Sequence, residues 1–285
     1  MRLGINNSIW EITGIGLPKS LDRINSLGFK YVDVLAYGSG DPRTLNQEER
    51  RKIAHKFQEL GLTSSGMVML VPENIASNDA KERERCLSYL KSCVEFQAEL
   101  GGRQVLLGFG GGWRILETSR EGAWVNSVNF IKGYCEWISN FDIFLTLELD
   151  SSVYYVINDT TSMAKMIEEV DAPNLFANID IGHLAITREP PRALEKLKDR
   201  ILHAHISDND GKAHANWIIG RGVARVPDYL RKLIEIGIDE TCARYNETAV
   251  ASLELGEIGQ KIQDPDQYVQ ESLKYLSSNV PEITK

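Results

Sequence analysis

Four short segments set a charged or imidazole side chain between apolar neighbours: Thr146-Leu147-Glu148-Leu149-Asp150, Asn178-Ile179-Asp180-Ile181-Gly182-His183, His203-Ala204-His205-Ile206-Ser207-Asp208 and Ser252-Leu253-Glu254-Leu255-Gly256. Side chains alternate faces along a strand. With Leu147, Leu149, Ile179, Ile181, Ala204, Ile206, Leu253 and Leu255 turned to an apolar layer, Glu148, Asp180, His205 and Glu254 turn the other way. Three carboxylates and an imidazole buried together are costly unless a cation neutralises them. Three oxygen donors and one nitrogen suit Mn²⁺ or Mg²⁺, with Co²⁺ compatible, better than they suit a sulfur-rich structural zinc site. A divalent ion flanked by glutamates is equipped for acid–base work on a carbon that the ion acidifies.

This reading needs strands that deliver all four residues to one place. Short apolar, β-rich runs fall at about 2–6, 30–35, 62–70, 103–109, 143–149, 175–181, 201–206 and 248–255, with helical stretches between them. Thr44-Leu45-Asn46-Gln47 reads as a capping box, followed by a helical face of Ile53, Ala54, Phe57 and Leu60 and a stop at Gly61. Leu87, Leu90, Val94, Gln97 and Leu100 form a second such face before Gly101. Further helices are expected over 119–139, 161–170, 191–197, 227–236 and 265–276. Eight strand–helix units at about 36 residues each predict an α/β fold, a single (β/α)₈ TIM barrel with residues 1–285 as one domain. Such barrels carry their chemistry at the C-terminal ends of the strands, where the four residues fall. An open doubly wound sheet would want a phosphate-binding glycine pattern after its first strand, and Ile5-Asn6-Asn7-Ser8 has none. Gly108-Phe109-Gly110-Gly111-Gly112 lacks the Lys-Ser/Thr of a P-loop and reads as an active-site loop.

Composition narrows the partners. Lys+Arg 32 against Asp+Glu 40 leaves a net charge of −8, which disfavours tight nucleic-acid binding and polybasic membrane contact. No apolar run approaches the roughly 18 residues of a membrane helix, and the first residues lack a signal-peptide core. Cys86, Cys93, Cys135 and Cys242 form no CxxC pair, and Cys86 and Cys93 suit a helix core. A reduced, cytoplasmic protein is expected. Assembly into a homo-oligomer is left open.

The segments Leu147-Glu148, Asn178-Ile179-Asp180-Ile181-Gly182-His183, His203-Ala204-His205-Ile206-Ser207-Asp208 and Leu253-Glu254 resemble the sugar isomerase/epimerase superfamily. This is the xylose isomerase-like barrel group, with ketose 3-epimerases, hydroxypyruvate isomerase, inosose-processing enzymes and the endonuclease IV branch. His214, before Ile219-Gly220-Arg221-Gly222, resembles the family's histidine and Gly-x-Gly loop after strand seven. The resemblance implies that Glu148, Asp180, His205 and Glu254 hold the metal, that Glu148 and Glu254 are catalytic, and that His183 touches a substrate hydroxyl. His214 is weighed between substrate contact and an ordinary loop position. Trp10, Phe109 and Trp113 are candidates for an apolar wall over a sugar, with Trp113 assigned to substrate binding. His203 lies one layer below His205 and suits support of the ligands or core filling; His55 suits a helix surface.

The implied chemistry is isomerisation or epimerisation of a sugar or keto-sugar, with proton transfer between two glutamates through an enediolate. A leaving group β to the carbanion would instead give lyase or dehydratase chemistry on a keto-inositol or 3-keto glycoside. Tyr154 stands where the epimerase branch commonly has a further glutamate, and Gly211 where some epimerases have an arginine. The nuclease branch adds histidines on strands three and four, whereas the five here are His55, His183, His203, His205 and His214, with Lys212 in place of that branch's aspartate. A small-molecule sugar partner is therefore expected, rather than nucleic acid or a membrane.

Overall fold

The computed structural model describes residues 1–71, 73–110, 114–115, 118–256 and 260–285. Eight parallel strands close into a barrel in sequence order. They are β1 Arg2–Asn6, β2 Tyr31–Leu35, β3 Thr63–Val71, β4 Gln104–Gly110, β5 Phe144–Glu148, β6 Leu175–Asp180, β7 Ile201–Ile206 and β8 Val250–Leu253. The helices are α1 Ser8–Ile12, α2 Leu17–Ser26, α3 Gln47–Glu59, α4 Ala80–Glu99, α5 Arg120–Ile138, α6 Thr160–Val170, α7 Ile181–Thr187, α8 Val226–Glu235, α9 Ile238–Arg244 and α10 Pro265–Asn279. The chain thus has the expected (β/α)₈ fold.

Two layers of side chains explain why the strands stay in register. Leu147, Ile179, Ala204, Ile206 and Leu253 are fully buried in the main core between sheet and helices. Leu35, Val68 and Leu106, with Leu70, form a separate small apolar cluster. They come from β2, β3 and β4, and the pairs Leu35↔Val68 and Val68↔Leu106 set them in one row. On the other half of the barrel the register pairs Glu148 with Asn178, Asp180 with His205 and His205 with Ser252. A register shift at Ala177/Asn178 brings Asp180 level with His205.

Some local expectations are corrected. The capping box of α3 is built by Asn46 and Glu49, not by Thr44 and Gln47. Asn46 Oδ1 accepts from the amides of Glu48 and Glu49 at 2.9 and 3.0 Å, and Glu49 Oε2 accepts from the Asn46 amide at 2.8 Å. The Thr44 hydroxyl is spent on the Asp41 carbonyl in the preceding turn, so the helix starts two residues later. Pro191–Leu197 is a 3₁₀ helix rather than α. The short helices α1, α7 and α9, and the amphipathic α2, lie outside the helices expected from the sequence. His55 is exposed, as its place on the polar side of α3 predicts. Trp10 is fully buried and its indole N–H donates to Asp266 Oδ1 at 2.7 Å, so it belongs to the packing of α1 against α10 rather than to a substrate wall.

Candidate active site

At the C-terminal mouth of the barrel, Glu148, Asp180, His205 and Glu254 offer ligand atoms that all lie within 4.8 Å of one another. Glu148 ends β5, Asp180 ends β6, His205 lies near the end of β7, and Glu254 follows the last residue of β8. The expected set is brought together by four adjacent strands. His205 Nδ1 is 2.9 Å from Glu148 Oε1 and 3.3 Å from Glu254 Oε2. Asn178 Nδ2 donates to Glu148 Oε1 at 2.6 Å and holds that carboxylate from the neighbouring strand. Gly108 makes room for it, because a Cβ there would stand 2.8 Å from Glu148 Cβ.

The electrostatics of the cluster call for a cation. Burial pushes the Glu148 carboxyl upward, with Glu254 and Asp180 adding to the effect against the opposing pull of His205. Burial alone would depress His205, but the charges of Glu254 and Glu148 outweigh it and hold the imidazole well above its ordinary value. His205 Nδ1 and Glu254 Oε2 are buried without a hydrogen-bond partner of good geometry. Converging carboxylate oxygens and an imidazole nitrogen without another partner fit a divalent ion of the oxygen-preferring kind, which would take the place of the His205 proton.

Asp180 does double duty. It caps α7, accepting the His183 amide at 2.8 Å, and it accepts the Ser207 hydroxyl at 2.9 Å. His214 Nε2 lies 3.3 Å from the same Oδ1, and the His214 ring stacks on His183 with centroids 3.8 Å apart. Burial would lower the His214 pKa, but the Asp180 charge outweighs it and pushes the ring up to about 9. Burial, with the neighbouring charge of His214, pushes His183 down to about 3. The Ser151 amide stands 3.3 Å from His183 Nδ1, so Nδ1 accepts and the ring's proton falls to Nε2.

The loop carrying His214 is fixed by Asp208. Its buried carboxylate accepts the amides of Asn209, Gly220, Gly222 and Ala224 at 2.9, 2.9, 2.9 and 3.0 Å. A Cβ at Gly222 would fall 2.2 Å from Asp208 Oδ1, so the close approach requires glycine there. The resulting cavity is lined by Glu148, His183, His214, Glu254, Ser8 and Asn216 on one side. Leu35, Val68, Leu70 and Ile12 line it on the other. Tyr154 is exposed and does not line this cavity. Trp113, Gly111 and Gly112 lie outside the described residues, as does the Phe109 side chain. Sequence reasoning missed Asp33, Asn178, Ser207 and Asn216. The first was detectable as a lone carboxylate in the otherwise apolar run Val32-Asp33-Val34-Leu35.

Residues 21–278 match the xylose isomerase-like TIM barrel family. The chain belongs to that family. Fructoselysine 3-epimerase of Escherichia coli O157:H7 is 24% identical over 216 residues, covering 74% of this chain and 73% of that protein. An uncharacterized Methanocaldococcus jannaschii protein, MJ1311, is 33% identical over 100 residues, 33% of this chain and 34% of that one. Among solved structures, a D-tagatose 3-epimerase-like protein superposes with a TM-score of 0.79 at 21% identity, covering 98% of this chain and 100% of that one. The IolI protein, solved with a zinc atom, superposes with a TM-score of 0.82 at 17% identity over 99% of both chains. The structural likenesses carry the fold, and the family match places the chain among the xylose isomerase-like barrels.

Proposed function

We propose that the chain is a metal-dependent isomerase or epimerase of a sugar or keto-sugar. The observation that carries this reading is the four-donor cluster at the barrel mouth, with His205 Nδ1 and Glu254 Oε2 buried and unspent. The relationship to fructoselysine 3-epimerase supports it, as does the zinc atom in the IolI structure. Glu148, Asp180, His205 and Glu254 would hold one divalent ion, with Mn²⁺ favoured by three oxygen donors and Mg²⁺ or Co²⁺ compatible. When bound, the ion would act as a Lewis acid on a substrate carbonyl and acidify the adjacent C–H.

The chain's own groups do the rest. Glu148 and Glu254 sit in different environments: Glu148 is held by Asn178, while Glu254 is more open to the cavity. One removes the proton beside the ketone, leaving an enediolate, and the other returns a proton from a second direction. His183, with Nε2–H free to donate, binds a substrate hydroxyl. His214 stacks behind it and presents its own ring to the cavity. Leu35, Val68 and Leu70 exclude water from the side away from the carboxylates. Residues 1–285 act as one domain in this reading, and four free, buried thiols suit a reducing cytoplasm.

A sugar is favoured over DNA. Strands β3 and β4 supply no histidine for additional metal ions, and the net charge is −8. The test is turnover of a panel of ketoses, fructosyl-amines and 3-keto glycosides by the Mn²⁺-loaded chain. Interconversion of one member that stops in both Glu148→Gln and Glu254→Gln supports the proposal. Turnover that survives both substitutions contradicts it.

A further inference from the structure

Directly beneath the cluster lies a second buried polar group that the chemistry above does not use. Asp33 on β2 is fully buried, and its carboxylate reaches across the barrel to β7. Oδ2 is hydrogen-bonded to His203 Nε2 at 2.8 Å and makes a charge contact with His205 Nε2 at 3.4 Å, outside hydrogen-bond geometry, while the Ser65 hydroxyl donates to Oδ1 at 2.7 Å. His205 therefore has two faces. Nδ1 points at Glu148 and Glu254, and Nε2 points at Asp33. His203 and His205 meet edge to face, ring centroids 5.6 Å apart, which lets one carboxylate oxygen serve both rings.

We propose that Asp33 is a positioning residue for the metal centre: its charge, 3.4 Å from His205 Nε2, favours the ring's proton on that nitrogen, so that Nδ1 keeps its lone pair for the ion. The inference rests on the four-donor reading of the site. The tautomer of a ligating histidine is set by what its other nitrogen meets. A carboxylate there fixes the ring's orientation and makes its donor nitrogen more basic. An apolar residue at position 33 would leave both tautomers of His205 open. His203 and Ser65 complete the arrangement, since each occupies Asp33 from a different direction and so stops the carboxylate from rotating away. The cost of burying Asp33 is offset by these contacts: burial would raise its pKa, yet His203 and His205 hold it below the usual carboxylate range.

Calorimetric titration of Mn²⁺ into chelator-stripped chain tests this without turnover. The wild type should bind one equivalent, and Asp33→Asn should bind it about 10- to 100-fold more weakly while circular dichroism stays unchanged. Ser65→Ala should weaken binding in the same direction by less. Long-range ¹H–¹⁵N spectra of the Zn²⁺-loaded wild type should show His205 as the Nε2–H tautomer, a readout that does not depend on any variant folding. Equal affinity in Asp33→Asn, or an Nδ1–H tautomer at His205, would overturn the inference and leave the four-donor site standing. No binding by the wild type would remove the site itself, and the inference with it. Two equivalents in the wild type, one of them lost in Asp33→Asn, would mean that Asp33, His203 and His205 hold an ion of their own, which also overturns it.

Discussion

The imidazoles of His183 and His214 lie face to face, 3.8 Å between centroids and 12° from parallel. Two stacked rings cannot both carry a charge cheaply, and the contacts divide the roles. His214 takes the charge beside Asp180, and His183 stays neutral against the Ser151 amide. In the proposed function a neutral His183 would present its Nε2–H to a substrate hydroxyl. His183→Ala should lower kcat/KM about tenfold or more, the loss expected when one buried hydrogen bond of about 1–2 kcal/mol goes. Metal content should not change, because neither ring is among the four donors. Steady-state kinetics and elemental analysis on one preparation check both statements.

His205 is the one nitrogen donor of the cluster and touches both glutamates. His205→Ala should lose the divalent ion while the barrel still folds. The apolar layer outside the sheet, with Leu147, Ile179, Ala204 and Leu253 fully buried, does not depend on that ring. Elemental analysis after purification without chelator reads the result. Full metal retention would count against the assigned donors.

Asp208 ties four loop amides to one buried carboxylate. Asp208→Ala should destabilise the chain by at least about 2 kcal/mol, since several buried donors lose their acceptor together. It should also raise KM through the displaced His214 and Asn216. Urea unfolding measures the first effect and initial rates the second.

Burial pushes the thiols of Cys86, Cys135 and Cys242 up to about 12, and Cys93 is raised as well. Thiolate is the reactive form, so native protein should resist a disulfide reagent at neutral pH. All four thiols should react once denaturant is added. Fast labelling of any cysteine in the folded chain would contradict the packing described here.

The site was legible where one rule decided it. Strand alternation alone turned Glu148, Asp180, His205 and Glu254 to one side, and the run 201–206 marks β7 with both ends in place. Asp33 showed in the sequence only as a lone carboxylate in an apolar run; its role was not legible, because His203 lies 170 residues away in sequence and three strands away around the barrel. The position of His214 follows from the amides that Asp208 gathers, a loop geometry with no periodic signal. Asp180-Ile181-Gly182-His183 carried two messages at once. The same carboxylate ends a strand and caps α7, and strand parity reports only the first. The capping box slid by two residues because Thr44 had a nearer acceptor in Asp41.

Proton transfer at a carbon beside a ketone is the central claim, and solvent exchange reads it most directly. The Mn²⁺-loaded chain would be incubated in heavy water with a panel of keto-sugars, and deuterium at the carbon next to the carbonyl followed by NMR. The account predicts metal-dependent incorporation into at least one member, lost in Glu148→Gln and in Glu254→Gln, whatever the final product. No incorporation into any of the panel, or incorporation unaffected by both substitutions, would contradict it.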